Sequence, residues 1–124
     1  MYDRDQYLAD LEAKRWCQFV PKHERPVLGR LIKLCLEGGN TISVFDSEEY
    51  VVKRGTEYSL IKSRLGHAEE DLLIIRNAAG DKLGWFNLIY NNGSEEDPCI
   101  VIADYAAGDF CRAIFTQLLD QYGE

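Results

Sequence analysis

DLLIIRN (71–77), KLGWFNLIY (82–90) and CIVIADY (99–105), followed by YAAGDFCRAIFTQLLDQY (105–122), decide the fold. The first three stretches are short, apolar and rich in β-branched and aromatic residues, so they read as strands. The residues between 77 and 81 include Gly80 and make a turn. GSEEDP, residues 93–98, is a polar connection. The fourth stretch repeats at helical spacing through Ala106, Ala107, Phe110, Cys111, Ile114, Phe115, Leu118 and Leu119, the strongest periodic signal in the chain. Leu83, Trp85 and Ile89 share one face of their strand, and Phe86, Leu88 and Tyr90 share the other. Strands that are apolar on both faces belong inside a sheet with cover above and below.

Working back from this block, TISVFD (41–46) and EYVVKR (49–54) alternate apolar and polar residues, as half-wet strands do. The link from Asp46 to Glu49 is tight enough for a hairpin. Thr56 and Glu57 open a short helix to Leu65, with Thr56 able to cap it, and Gly66 closes it. Further back, residues 3–20 read as a helix, because Leu8, Leu11, Trp16, Phe19 and Val20 fall within about half its circumference. Pro21 ends that helix. Pro26 opens a second one over 26–37, with Val27, Leu28, Leu31, Ile32, Leu34 and Cys35 on its apolar arc and Gly38–Gly39 at its exit.

The expected order is α-α-β-β-α-β-β-β-α: an α+β fold with a mostly antiparallel sheet of about five strands. A C-terminal helix and an N-terminal helical hairpin (residues 1–39) pack on the sheet and its helices (residues 40–124). The 124 residues form a single domain, long enough to bury roughly two thirds of the unfolded surface without staples. The sequence contains no internal repeat, low-complexity segment or interdomain linker.

Composition narrows the class. Hydrophobic residues make up 46% and charged residues 28%, as in ordinary globular proteins. No apolar run approaches the ~20 residues that span a bilayer, and the N-terminus MYDRDQYLAD is polar and acidic, so a cytoplasmic protein is expected. Cys17, Cys35, Cys99 and Cys111 are scattered and form no C-x-x-C pair, which fits four free thiols better than a disulfide framework. Net charge is −7. Residues 1–40 hold seven Lys/Arg against six Asp/Glu, and residues 41–124 hold seven against fifteen. Such a balance is repelled by nucleic-acid phosphates and by anionic membranes, and suits a protein partner.

Candidate chemistry is sparse. Cys111 falls in the first turns of the last helix, where the helix dipole lowers a thiol pKa, but it also lies on the apolar stripe, and His23 and His67 are the only bases available to it. Asp104 and Asp109 flank the start of that helix and serve as well for capping as for acid–base work. The cysteines lack the close pairs that structural zinc uses, and no phosphate loop is present, so neither a metal nor a cofactor is expected. Lys22, His23, Arg25, Arg30 and Lys33 form a basic patch on the linker and second helix. It can be a solvated face or a dock for an acidic protein. Asp46, Glu48 and Glu49 in one turn and Glu95, Glu96 and Asp97 in another form the candidate acidic surface. Seven tyrosines and two tryptophans supply interface-type side chains. Trp85, Tyr90 and Tyr105 are expected in the core, and Tyr2, Tyr7, Tyr50 and Tyr58 partly exposed.

TISVFDSEEYVVKRGTEYSLI, DKLGWFNLIYNN and IVIADY, together spanning roughly residues 40–105, resemble small uncharacterised proteins of bacteriophages and other bacterial mobile elements. The likeness is one of pattern rather than motif. It implies a bacterial or phage accessory gene and carries no catalytic residues. The leading expectation is a small acidic interaction protein that binds, and in one form inhibits, another protein through Asp46, Glu48, Glu49, Glu95, Glu96 and Asp97. Two alternatives stand beside it. One is a small enzyme with a site near Cys111 and Asp104, and the other is a homodimeric structural adaptor.

Overall fold

The computed structural model describes residues 4–103 and 108–122, without the side chains of residues 6, 7 and 10–12. Four helices, α1 (Arg4–Ala13), α2 (Arg25–Leu36), α3 (Tyr58–Arg64) and α4 (Asp109–Tyr122), accompany four strands, β1 (Thr41–Phe45), β2 (Tyr50–Gly55), β3 (Glu70–Arg76) and β4 (Lys82–Ile89). The strands form one antiparallel sheet in the order β2-β1-β3-β4. The α+β class, the antiparallel sheet and the C-terminal helix are as expected.

The hairpin at Asp46–Glu49 is built by its own sequence. The Asp46 carboxylate accepts the N–H groups of Glu48 and Glu49 at 3.0 and 2.9 Å, and Ser47 takes φ 85°. Asx turns of this kind reverse the chain locally. From β2 the chain crosses through α3 to enter β3 on the far side of β1, so β1 lies inside the sheet. Ser43 of β1 stands opposite Ile74 of β3, which stands opposite Trp85 of β4, and this row sets the faces.

The inner face carries Ile42, Val44, Val52, Leu73, Ile75, Phe86 and Leu88. These join Val27, Leu28, Leu31 and Ile32 of α2, Ile61 of α3, and Cys111, Ile114 and Leu118 of α4 in one buried cluster. The central helix is α2, flanked by α3 and α4. Gly29 lets it sit close: a Cβ there would lie 2.8 Å from the Tyr58 hydroxyl.

Two expected elements are absent as drawn. The first is the N-terminal hairpin. Helix α1 stops at Ala13, Lys14 adopts φ 54°, and α1 lies against α3 instead of alongside α2. The apolar residues beyond it are used differently. Cys17 and Val20 turn fully into the core under Gly66, while Leu8 and Phe19 stay 47% exposed. A turn that buries two residues completely outcompetes a helix that would bury a weak stripe. The second is the fifth strand, expected at 99–104. Pro98 starts a short 3-10 turn over Pro98–Val101 that buries Cys99 and Val101 and leaves Ile100 43% exposed. Pairing with β4 is limited to one bridge between Leu88 and Ile102 and the Ala103 N–H to the Asn87 carbonyl at 2.8 Å. The segment covers the β4 edge without extending the sheet, and Gly108 continues the cover: a Cβ there would lie 2.2 Å from the Leu83 carbonyl oxygen. Helix α3 begins at Tyr58 without a side-chain cap, so Thr56 does not act as one.

Candidate functional site

The candidates for catalysis do not assemble. Cys111 is fully buried, and burial pushes its thiol up to about 11, opposite to what a nucleophile needs. The imidazoles are used elsewhere: His23 Nε2 lies 2.7 Å from the Gly93 carbonyl oxygen, and His67 Nε2 lies 2.7 Å from that of Ser63. Asp109 is exposed and paired with Arg112 at 3.3 Å, and Asp104 lies outside the described residues. Among the described residues no group of three or more His, Cys, Asp or Glu side chains is placed to hold a metal ion. No helix among them is long and apolar enough to cross a membrane.

The basic patch is largely committed to the fold. Arg25 donates to the Val20 and Cys17 carbonyls at 3.0 and 3.5 Å, pinning the turn before α2. Lys33 lies 5.0 Å from the centre of the Tyr58 ring. Arg30 is half-buried, and Lys22 is exposed. The acidic candidates divide into two groups. The β-strand register puts the Asp46–Glu49 turn and the exit of β4 at the same end of the sheet, but at opposite lateral edges. Glu95 and Glu96 are exposed in the loop that leaves β4, and Asp97 is half-buried beside a groove of about 420 Å³ with Ile89, Ile100, Phe115 and Leu119.

Two buried carboxylates went unnoticed in the sequence. Glu24, just before α2, is fully buried and accepts the N–H groups of Asn91 and Gly93 at 2.9 and 2.8 Å. Asp71, at the start of β3, accepts the Gly66 N–H at 3.0 Å and the Tyr90 hydroxyl at 2.5 Å. Burial pushes the Asp71 carboxyl up, and burial beside Asp71 pushes the Tyr90 hydroxyl well up. Both groups act as ties. Glu24 clasps the loop after β4 to the start of α2, and Asp71 fastens the α3–β3 turn to the end of β4. An acidic residue next to a loop or at a strand start is usually solvated, so sequence pattern alone carried no signal for either.

The outer face of the sheet is the other feature. Its residues are Ser43 and Phe45 of β1, Tyr50 and Lys53 of β2, Leu72, Ile74 and Arg76 of β3, and Lys82, Trp85, Asn87 and Ile89 of β4. Among the described residues this face has no helix layer, because the helices place their buried side chains in the inner cluster. Phe45, Leu72, Trp85 and Ile89 are half-buried and Tyr50 is 43% exposed. Trp85 is therefore a surface residue, not a core one, with Lys82 5.0 Å over its ring. Tyr50 is exposed as expected, and its ring meets Phe45 at 5.1 Å. Tyr2 and Tyr105 lie outside the described residues, as does the side chain of Tyr7. The expectation of cover on both faces fails here. Ser43, Lys53 and Asn87 at alternate positions were the available signal, since a doubly covered sheet leaves no room for them.

Charge divides this face along the strands. Arg76 and Lys82 stand at one end, Lys53 and Arg54 lie level with Ser43 near mid-strand, and Asp46, Glu48, Glu49, Glu69 and Glu70 stand at the other end. Among the described residues, Lys53, Arg54, Arg76, Glu48 and Glu49 form no ion pair within the chain. Lys53, Arg54 and Arg76, with Ser43 and Tyr50, line a shallow dip of about 410 Å³. No protein family, curated protein or solved structure matches the chain.

Proposed function

We propose that the protein is a non-enzymatic interaction module that docks a protein partner on the bare face of its sheet. One observation carries this reading: an uncovered face presents Phe45, Tyr50, Leu72, Trp85 and Ile89, framed by charges of which Lys53, Arg54, Arg76, Glu48 and Glu49 form no ion pair among the described residues. Contiguous apolar surface with a polar frame marks docking sites, and aromatic residues are enriched there. The net charge of −7 favours a protein over a nucleic acid or an anionic bilayer. The acidic hairpin tip at Glu48 and Glu49 belongs to the rim of this surface, and the Glu95–Asp97 loop lies beyond its opposite edge. The enzyme alternative loses its nucleophile, since Cys111 is buried and protonated.

The test uses the tagged full chain and its Trp85→Asp variant, each incubated with bacterial lysate supplemented with the untagged chain. A protein retained by the wild type, whether from the lysate or the untagged chain itself, is expected to be lost with Trp85→Asp and kept with Lys33→Glu on α2. Equal retention by wild type and Trp85→Asp, or no retention by the wild type, would overturn the reading. Far-ultraviolet circular dichroism confirms that both variants are folded.

A further inference from the structure

We infer that the partner seated on the bare sheet face is a second copy of the chain, packed face to face with its strands antiparallel. This rests on the reading that the face is a docking surface, and it adds the identity of the occupant. The argument is the division of charge. A two-fold axis lying in the interface and crossing the strands at right angles exchanges the two ends of the sheet. It stacks each strand over its own equivalent, and the cationic end of one copy meets the anionic end of the other. An axis parallel to the strands would instead lay β1 over β3 and β2 over β4 and set the acidic hairpin tip of one copy against Glu69 and Glu70 of the other, and like charges in apposition oppose association.

The antiparallel arrangement brings the hairpin tip of the second copy, with Glu48 and Glu49, towards the Arg76 side of the dip that Arg76 lines with Lys53 and Arg54. It brings Glu70 of the second copy towards Arg76, because these two residues close opposite ends of β3. Trp85 sits at mid-strand on β4, so it lands near its own equivalent and forms an apolar centre beside the already buried Ile74. Face-to-face sheets pack about 10 Å apart with strands within about 30° of each other, which such a centre accommodates. Four strands of this length present a face roughly 20 Å on each side. That is at the small end of specific interfaces, so the expected dissociation constant is on the order of 1–100 µM.

Sedimentation equilibrium over about 5–500 µM tests this, a range set by the expected dissociation constant. Wild type is expected to shift from monomer to dimer across the range, and Trp85→Asp to remain monomeric. Two charge variants test the polarity. Arg76→Glu/Lys82→Glu reverses the cationic end, and Glu49→Lys/Glu70→Lys takes the five-carboxylate anionic end from −5 to −1. Each alone is expected to dimerise at least tenfold more weakly, whereas an equimolar mixture of the two forms a heterodimer tighter than either variant's own pair. A wild type that stays monomeric to the top of the range overturns the inference. The lysate capture then decides separately whether the face docks a different protein. A dimer that survives Trp85→Asp, or a mixture no tighter than its components, overturns it too.

Discussion

Replacing Glu24 is the sharpest test of how the fold is held together. Its fully buried carboxylate accepts the Asn91 N–H at 2.9 Å and the Gly93 N–H at 2.8 Å, and His23 Nε2 stands 3.9 Å from it. Among the described residues, no other side chain ties the start of α2 to the loop after β4 through two bonds. Hydrogen bonds to a charged group contribute about 1.5–3 kcal/mol each. Asn91 is exposed, so water can replace part of its bond, whereas Gly93 is half-buried and loses more. Adding the void left by the side chain, Glu24→Ala is expected to cost about 3 kcal/mol, or about 10 °C in Tm. Glu24→Gln keeps the shape and one acceptor but sets an amide N–H₂ against a backbone donor, so it is expected to cost about 2 kcal/mol. Urea unfolding followed by tryptophan fluorescence and far-ultraviolet circular dichroism measures both. If Glu24→Ala lies within about 0.5 kcal/mol of wild type, the range of a neutral surface change, the clasp does not hold the fold as argued here.

Two further outcomes concern pH and the thiols. Burial raises the Asp71 carboxyl, so the folded state holds that proton more tightly than the unfolded chain, and stability is lost as pH rises through the ordinary carboxylate range up to the raised value. Asp71→Asn removes this dependence. The stability of the variant relative to wild type should therefore climb in urea titrations as pH rises through and above the ordinary carboxylate range, and a flat difference refutes it. The four cysteines are buried, and burial pushes Cys35, Cys99 and Cys111 upward, Cys111 to about 11. The native protein should resist a thiol reagent that labels all four cysteines in urea. By the same sign rule its stability should fall as pH climbs from about 9 towards that value, and one fast-reacting native thiol would refute the assignment.

The strands were legible wherever periodicity coincided with turn chemistry. TISVF and YVVKR alternate, and Asp46 supplies the carboxylate that closes the turn between them, so hairpin and boundaries followed from the residues themselves. Helix α2 was equally plain, because Pro26 and the Gly38–Gly39 pair bracket its stripe. CIVIAD was misread because its composition is that of a strand. The preceding Pro98 and the pull of Cys99, Val101 and Ile102 into the core decide for a turn, and those are tertiary effects. The stretch from Lys14 to Val20 failed for a related reason: of the residues on the helical stripe the core takes Val20, together with Cys17 from outside it, and leaves Phe19 exposed. At the surface, counting charges found the acidic residues but not their arrangement. Glu49 and Glu70 lie far apart in sequence and share an end of the sheet only because β1 inserts between β2 and β3.

That insertion gives the outer face its character. A β2–α3–β3 crossover puts the hairpin tip at the end where β3 starts and β4 finishes. Acidic turn residues at 46–49 thereby gather with Glu69 and Glu70, while Arg76 and Lys82 stand at the opposite end. Had β1 and β2 exchanged places in the sheet, β1 would be the edge strand, and Ser43 would no longer stand opposite Ile74. Lys53 and Arg54 also protect β2, since charged side chains discourage edge-to-edge strand addition. With one sheet edge charged and the other covered by residues 98–103 and Gly108, growth of the sheet sideways is blocked at both edges. The route left for the exposed aromatic surface is face-on contact, the arrangement that the proposed dimer uses.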